Sequence, residues 1–189
     1  MLVLAWQLGR FEPASYEHVK RSANFIVANG PFSPQERWEN QSGYSPGTIA
    51  AADIARRNGD AASAAAWEAM ADEWQAQVDN WTVTSNGPYD PKPYYLRLTK
   101  DAMPNAGMTY SIGDGGPSAA DQREIVDPSF LELVRLGMKP PDHRPIVDTL
   151  QVVDDQLGVD TPNVRLAWSI AAGSPVERPR VVVCRYADC

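Results

Sequence analysis

The chain has 189 residues, of which 43% are hydrophobic and 22% are charged, and its formal net charge is −7. This length suits one domain with a sizeable core, and the negative charge argues against a duplex nucleic-acid binder, which needs basic groups to displace phosphate counterions. No apolar stretch reaches the ~18 residues of a membrane span. The apolar start, residues 1–6, lacks the basic region and cleavage site of a signal peptide. Neither nucleic acid nor a membrane is therefore predicted as a partner.

Helical spacing of apolar residues and helix-end signals dominate the chain. Asp60 and Asp127 stand where helices should begin, and Trp67 and Trp74 share one helical face, which makes them core residues. The apolar stripe of the last predicted helix consists of Ile146, Leu150, Val153 and Leu157. The predicted helices, in chain order, cover 15–29, 46–58, 60–80, 128–137 and 145–157.

Between Asn80 and Ser118 the pattern changes to short β-prone runs and turns. The runs are 81–84 and 94–98, and Asn86-Gly87-Pro88 supplies turn chemistry between them. The glycine-rich stretch 113–117 lacks the strand-to-helix context of a phosphate loop, so we interpret it as a turn. This region is predicted to project from a helical body as hairpins and loops. Beyond it, His143 is interpreted as an exposed residue at a helix start.

The last residues, 163–189, show no sustained period. Residues 161–189 carry a charge of +2, opposite in sign to the rest of the chain. Cys184 and Cys189 are interpreted as unpaired thiols, with a small disulfide loop or a partial metal site as alternatives. We predict a domain over 1–162 and an atypical tail over 163–189, with an altered reading frame or a foreign terminus as the hypothesis for its origin.

The loop between the first two predicted helices carries the candidate chemistry. Trp38-Glu39 places a flat aromatic surface beside a carboxyl group, as glycoside hydrolysis requires. Glu36 is the competing acid, but Arg37 beside it suits an ion pair that would keep Glu36 ionised. The alternative on spacing alone is a tryptophan that anchors the loop between two ordinary surface acids.

An extended set of motifs resembles one family. Residues 35–41 (QERWENQ) followed by 43–46 (GYSP) look like the general-acid loop of the bacterial glucoamylase–glucodextranase family, glycoside hydrolase family 15. The same family is matched, in order, at 5–10 (AWQLGR), 29–31 (NGP), 86–89 (NGPY), 94–97 (YYLR) and 126–137 (VDPSFLELVRLG). The resemblance runs from about residue 2 to 162.

This resemblance implies the fold and the site. The fold class is all-α, a partial (α/α)6 toroid with a short β-hairpin and loop excursion. Glu39 corresponds to the family's general acid, and Arg37, Trp38 and Asn40 are the candidate substrate-binding residues. The family's Arg-Asp clamp is expected upstream of Met1, its general base lies downstream of the chain's last residue, and its Trp-His-Arg segment is replaced here by 164–168 (VRLAW).

The implied function is that of a fragment of an inverting, exo-acting α-glucosidase, of glucan 1,4-α-glucosidase or glucodextranase type. It would act on α-glucans from their non-reducing ends and be inactive in isolation. The alternative is a non-catalytic helical carbohydrate-binding protein or a degenerate pseudogene product. No cofactor and no metal are predicted: calcium is structural in relatives, but no dense oxygen-ligand spacing demands it here.

Three further expectations follow from the resemblance. Apolar helix faces, including Leu2, Leu4 and Trp6, should be exposed and promote self-association. The loop 34–44 should lie at one end of the helical layer, with Glu39 facing a concavity. Family members are often secreted, but this chain shows no signal peptide, and the sequence leaves the choice between α-1,4 and α-1,6 linkages open.

Overall fold

The structure is a computed structural model that describes residues 15–32, 34, 41–44, 60–89, 91–113, 116–160 and 165–167. The chain divides into two units, one formed by residues 1–33 and 48–77 and the other by residues 34–47 and 78–189. Each unit has a buried apolar cluster of its own. The predicted helix over 46–58 and the residues Leu2, Leu4 and Trp6 lie outside the described residues.

One helix and the first part of the next, through residue 77, belong to the first unit, and residues 78–82 of that second helix belong to the second unit. Helix α1 (Tyr16–Asn29) confirms the helix predicted over 15–29, and helix α2 (Ala61–Thr82) begins at the predicted position. Their contact is made by small and aromatic side chains, with Ala23 of α1 packed against Ala64 and Trp67 of α2. The indole N–H of Trp67 donates to Asn24 Oδ1 at 2.9 Å. Trp67 and Trp74 are both buried, as predicted for core residues.

Asp60 fixes the start of α2. Its carboxylate accepts the backbone N–H of Ser63 at 3.0 Å, which satisfies a helix N–H that has no partner within the helix. It also accepts Lys20 Nζ at 2.6 Å and the Tyr16 hydroxyl at 2.9 Å, both from α1. The hydrogen bond from Lys20, followed by those from Ser63, holds the pKa of Asp60 well below its usual range. One carboxylate thus caps α2 and ties it to α1.

The end of α2 corrects the sequence prediction. Trp81 and Thr82, predicted to be in a β-prone run, are the last residues of the helix. The Thr82 hydroxyl donates to the carbonyl oxygen of Val78, one turn earlier in the helix. The strand, β1, is confined to Val83–Thr84 and pairs antiparallel with β2 (Tyr94–Tyr95), so the predicted hairpin is present but shorter.

A second antiparallel pair forms around a buried cluster. Strand β3 (Thr109–Tyr110) pairs with β4 (Ala120–Asp121). The chain between them turns through Gly113 and Gly116. The N–H of Gly116 donates to the Gly113 carbonyl at 2.8 Å, as predicted for a turn. The cluster beneath consists of Leu98, Tyr110, Ile112, Ala120 and Ile125.

The segment predicted as one helix over 128–137 has two parts. It begins as a 3₁₀-helix over Pro128–Leu131 and continues as the short helix α3 (Glu132–Arg135), ending at Gly137 with φ +75°. Asp127 caps the segment as predicted, accepting the Ser129 N–H at 3.0 Å. The same carboxylate also accepts the Ser129 hydroxyl, and a 3₁₀ first turn is common at the start of an α-helix. A second 3₁₀ turn, Gln122–Glu124, precedes this segment.

Helix α4 (Arg144–Leu157) confirms the last predicted helix, but not the whole of its predicted stripe. Leu150 is 38% exposed, whereas Thr149 is fully buried. Thr149 faces inward because its hydroxyl accepts the backbone N–H of Tyr95 at 2.9 Å. The α4 helix packs on β2 and on the 3₁₀-helix of residues 128–131.

Beyond α4, β5 (Gly158–Asp160) pairs antiparallel with β6 (Arg165–Ala167). This pairing joins residues on either side of the boundary predicted at 162, and the assignment of 163–189 as a separate tail stays a prediction. The possible strand at 181–183 and both cysteines lie outside the described residues. Among the helices that the structure describes, none is both long enough and apolar enough to cross a membrane.

Candidate active site

The four residues predicted to form the site, Arg37, Trp38, Glu39 and Asn40, lie outside the described residues, as does Glu36. What the structure describes is the chain that follows directly, Gln41–Tyr44. The geometry of this segment shows how the end of the candidate catalytic loop is fixed. The orientation of Glu39 towards a concavity stays a prediction.

Within the second unit, Tyr44 is paired with Thr99 through an antiparallel backbone bridge. The Tyr44 N–H donates to the Thr99 carbonyl at 2.8 Å, and the Thr99 N–H donates to the Tyr44 carbonyl at 3.1 Å. Thr99 is fully buried, and its hydroxyl donates to the Trp81 carbonyl at 2.8 Å. The Tyr44 ring lies 5.8 Å from the Trp81 ring. Both backbone and side chain therefore hold Tyr44 against the end of α2.

Gly43 makes the close approach at this bridge possible. A Cβ atom at this position would lie 2.5 Å from the Thr99 carbonyl oxygen and 2.7 Å from Leu98 Cδ1. The first of these is a backbone atom and cannot rotate away. Glycine is thus required here by space, since any side chain would separate the two paired segments.

Lys100 supplies a second attachment that the sequence did not reveal. Its Nζ donates to the Gln41 side-chain oxygen at 3.1 Å, to the Ser42 carbonyl at 2.7 Å and to Ser42 Oγ at 3.3 Å. The same Nζ lies 5.9 Å from the centroid of the Tyr110 ring. No motif marks Lys100, because its partners lie 58 and 59 residues earlier in the chain.

Asp79 is the centre of a polar cluster elsewhere in the second unit. Its carboxylate accepts the Tyr95 hydroxyl, Lys139 Nζ at 3.1 Å and His143 Nε2 at 2.9 Å. His143 stands at the start of α4, as predicted, but it is partly buried and hydrogen-bonded, so the prediction that it is exposed was wrong. Burial alone would raise the pKa of Asp79, but the hydrogen bonds from Tyr95, Lys139 and His143 outweigh burial and lower it. Burial and the Asp79 contact raise the pKa of Tyr95.

The carboxylates of Asp79, Asp127 and Asp148 do not suit the role of general acid. Such a residue must carry a proton at working pH, which requires a raised pKa. Asp79 is shifted in the opposite direction. Asp127 and Asp148, which are buried, have structural partners: Asp127 caps the helix start at Ser129, and Asp148 pairs with Arg144 at 2.7 Å. Among the described residues, no group of His, Cys, Asp and Glu is suited to hold a metal ion.

The lowered pKa of Asp79 predicts a pH-dependent contribution to stability. Because its folded-state pKa lies below the unfolded value of about 4, the contribution is present above about pH 4 and is lost as the pH falls through the folded pKa. We expect Asp79→Asn to lower the free energy of unfolding by about 1–3 kcal/mol at pH 5, with a smaller difference at pH 3. Urea unfolding of both proteins at the two pH values measures it.

Asp142→Asn is the matched control for this comparison, since Asp142 is exposed. Its substitution should leave the urea midpoint nearly unchanged at both pH values. A difference between wild type and Asp79→Asn that stayed constant from pH 5 to pH 3 would contradict the role assigned to the carboxylate charge.

The fold is similar to that of a known helical glycosidase. A crystal structure of a bacterial glucoamylase complexed with acarbose superposes with a TM-score of 0.81 at 43% sequence identity, covering 89% of this chain and 26% of that one. The sequence model of glycosyl hydrolases family 15 matches residues 7–187, and the chain belongs to that family. The predicted resemblance is confirmed. A glucoamylase from Clostridium sp. (strain G0005) is 47% identical over 170 residues, which are 85% of this chain and 24% of the relative.

The matches differ in how much of each protein they cover. The chain spans about a quarter of the length of these two relatives. The matched range of the family model includes the candidate loop 34–44 and continues through most of the residues after 162.

Proposed function

We propose that this chain is part of an inverting, exo-acting α-glucosidase of the glucoamylase or glucodextranase type, with Glu39 as its general acid. The observation that carries the proposal is the family match across residues 7–187, which includes the loop sequence 35–41 (QERWENQ). The glucoamylase bound to acarbose, an aligned relative, supports an α-glucan as the substrate. The fold proposed for the complete domain is the (α/α)6 toroid, of which these residues form one part.

In this mechanism Glu39 donates its proton to the glycosidic oxygen as the bond to the leaving sugar breaks. A second carboxylate, supplied from outside this chain, activates a water molecule on the opposite face of the sugar at a carboxyl separation of ~6.5–9.5 Å. Trp38 provides an apolar wall that raises the pKa of Glu39 and a flat surface for the sugar ring. Arg37 and Asn40 bind hydroxyl groups of the substrate.

The attachment of the loop end supports this role. Gly43 and Tyr44 are fixed by the bridge to Thr99, and they follow Glu39 by only four and five residues. A general acid must stand within hydrogen-bond reach of the oxygen that it protonates. A loop whose end is tied to a buried segment keeps such an acid in place better than a free loop does.

We also propose that the 189 residues hydrolyse nothing by themselves. General-acid assistance is worth ~10²–10⁴-fold, far less than a whole glycosidase acceleration. The clamp and the base belong to other parts of the family's domain. We therefore expect no release of glucose from maltose or dextran by the isolated chain.

The test compares the isolated chain with an intact relative in which residues 1–160 of this chain replace the aligned segment. The chimera should release glucose from maltose or dextran, and the isolated chain should not. An inactive but folded chimera would contradict the proposal. Sugar-induced change in Trp fluorescence without hydrolysis would instead support a carbohydrate-binding protein, and turnover by the isolated chain would overturn its assignment as an incomplete enzyme.

A further inference from the structure

The ammonium group of Lys100 links the protein interior to the end of the candidate catalytic loop. Its three N–H donors match three oxygen acceptors, which are the Gln41 side-chain oxygen, the Ser42 carbonyl and the Ser42 hydroxyl, at 2.7–3.3 Å. Hydrogen bonds from a charged donor are stronger than neutral ones. The position of Nζ over the Tyr110 ring adds a cation–π contact.

Lys100 is itself held by fixed groups. Its backbone N–H donates to the Gln122 side-chain oxygen at 3.2 Å. Gln122 is fully buried, and its amide donates to the carbonyls of Met103 at 3.0 Å and Ala106 at 2.8 Å. Thr99, the preceding residue, is also fully buried and forms the bridge to Tyr44. Buried residues therefore hold the backbone of Lys100, and its ammonium group links them to Gln41 and Ser42.

We propose that Lys100 is a positioning residue for the general acid: it holds Gln41 through its side chain and Ser42 through its backbone carbonyl and hydroxyl, two and three residues after Glu39, without touching the substrate. The bridge at Tyr44 holds the chain two residues further along. This inference rests on the proposed role of Glu39. A displacement of about 1 Å at a reacting group can lower the rate about a hundredfold, so a contact that holds residues 41 and 42 should affect the rate of the chemical step.

The first test measures hydrogen exchange by NMR in the 189-residue chain. The reporters are the amides of Tyr44 and Thr99, which form the bridge. Lys100→Met should accelerate exchange of the Tyr44 amide roughly tenfold or more, because lost charged hydrogen bonds favour local opening, while amides of α4 keep their rates. Lys92→Met, which removes a lysine that is 48% exposed, is the matched control and should change neither reporter.

Lys100→Arg keeps a charged donor and should restore much of the protection. If Lys100→Met does not fold, Gln41→Ala removes one acceptor without altering the lysine and should give a smaller acceleration at Tyr44. Unchanged exchange at Tyr44 in folded Lys100→Met would overturn the attachment.

The second test measures kcat and KM in the chimera that carries residues 1–160. Lys100→Met should lower kcat about tenfold to a hundredfold with little change in KM, and Lys100→Arg should recover part of kcat. A loss confined to KM, or an unchanged kcat alongside faster exchange, would overturn the positioning role. Should the chimera be inactive or insensitive to Glu39→Gln, the proposed function itself fails, whereas the exchange result still decides whether Lys100 holds the segment.

Discussion

Glu39→Gln should lower kcat of the chimera by about 10²–10⁴-fold, because glutamine has the shape of the protonated acid but no proton to donate. KM should change much less, because the glutamine side chain has nearly the same size as glutamate and can still form hydrogen bonds. The measurement is the initial rate of glucose release from maltose across a pH range. In the wild-type chimera the alkaline limb of the rate profile reports ionisation of the acid, and this limb should be lost in the variant.

Glu36→Gln is the matched control, because it makes the same chemical change three residues earlier in the same loop. We expect a much smaller loss of kcat and an unchanged alkaline limb. If Glu36→Gln removed activity while Glu39→Gln did not, the two roles would be exchanged. A substrate whose leaving group needs no protonation should recover much of the rate in Glu39→Gln, which separates lost acid catalysis from a disturbed loop.

Local signals in the sequence sufficed for most of the described helices. Asp60 and Asp127 cap helix starts through contacts to Ser63 and Ser129, only two or three residues away. Such contacts depend on a few neighbouring residues, and they are visible as a pattern. The helices α1, α2 and α4 accordingly begin within one residue of their predicted starts.

Prediction failed where a polar side chain competes with the hydrophobic pattern. Thr82 was predicted to belong to a β-prone run over 81–84, but the helix continues through it, and its hydroxyl donates to the Val78 carbonyl. Leu150 was placed in the apolar stripe of α4, yet Thr149 occupies the buried position because it accepts the Tyr95 N–H, 54 residues away in sequence. The spacing of apolar residues in the sequence reveals neither of these hydrogen bonds.

The candidate site shows the same contrast between local sequence signals and contacts between residues that are distant in sequence. Glu39 is predicted from a short motif, and its role stays a prediction, whereas Lys100 contacts Ser42, 58 residues earlier, and Asp79 contacts His143, 64 residues later. These contacts exist only once the second unit has folded. Their residue types give no warning, since a lone lysine or aspartate most often faces solvent.

The second large effect is expected at Phe130, which lies at the interior of the second unit. Its ring is 1% exposed and stacks on Tyr95 with centroids 5.8 Å apart and planes 11° apart. Phe130→Ala removes this stack and leaves a cavity between β2 and the 3₁₀-helix of residues 128–131. The loss should be about 3–5 kcal/mol in the free energy of unfolding, measured by urea unfolding of the 189-residue chain.

Phe25→Ala is the matched control, because the Phe25 side chain is 64% exposed and its truncation leaves no cavity. Phe130→Leu should fall between the two, since it retains most of the apolar volume but not the aromatic stack. Natural domains have only about 5–15 kcal/mol of stability, so this loss is a large part of the total. Phe130→Ala should therefore also expose the Tyr95 hydroxyl contact to Asp79 and accelerate hydrogen exchange of the amides in α4. Equal losses for Phe130→Ala and Phe25→Ala would mean that β2 and α4 do not depend on this packing.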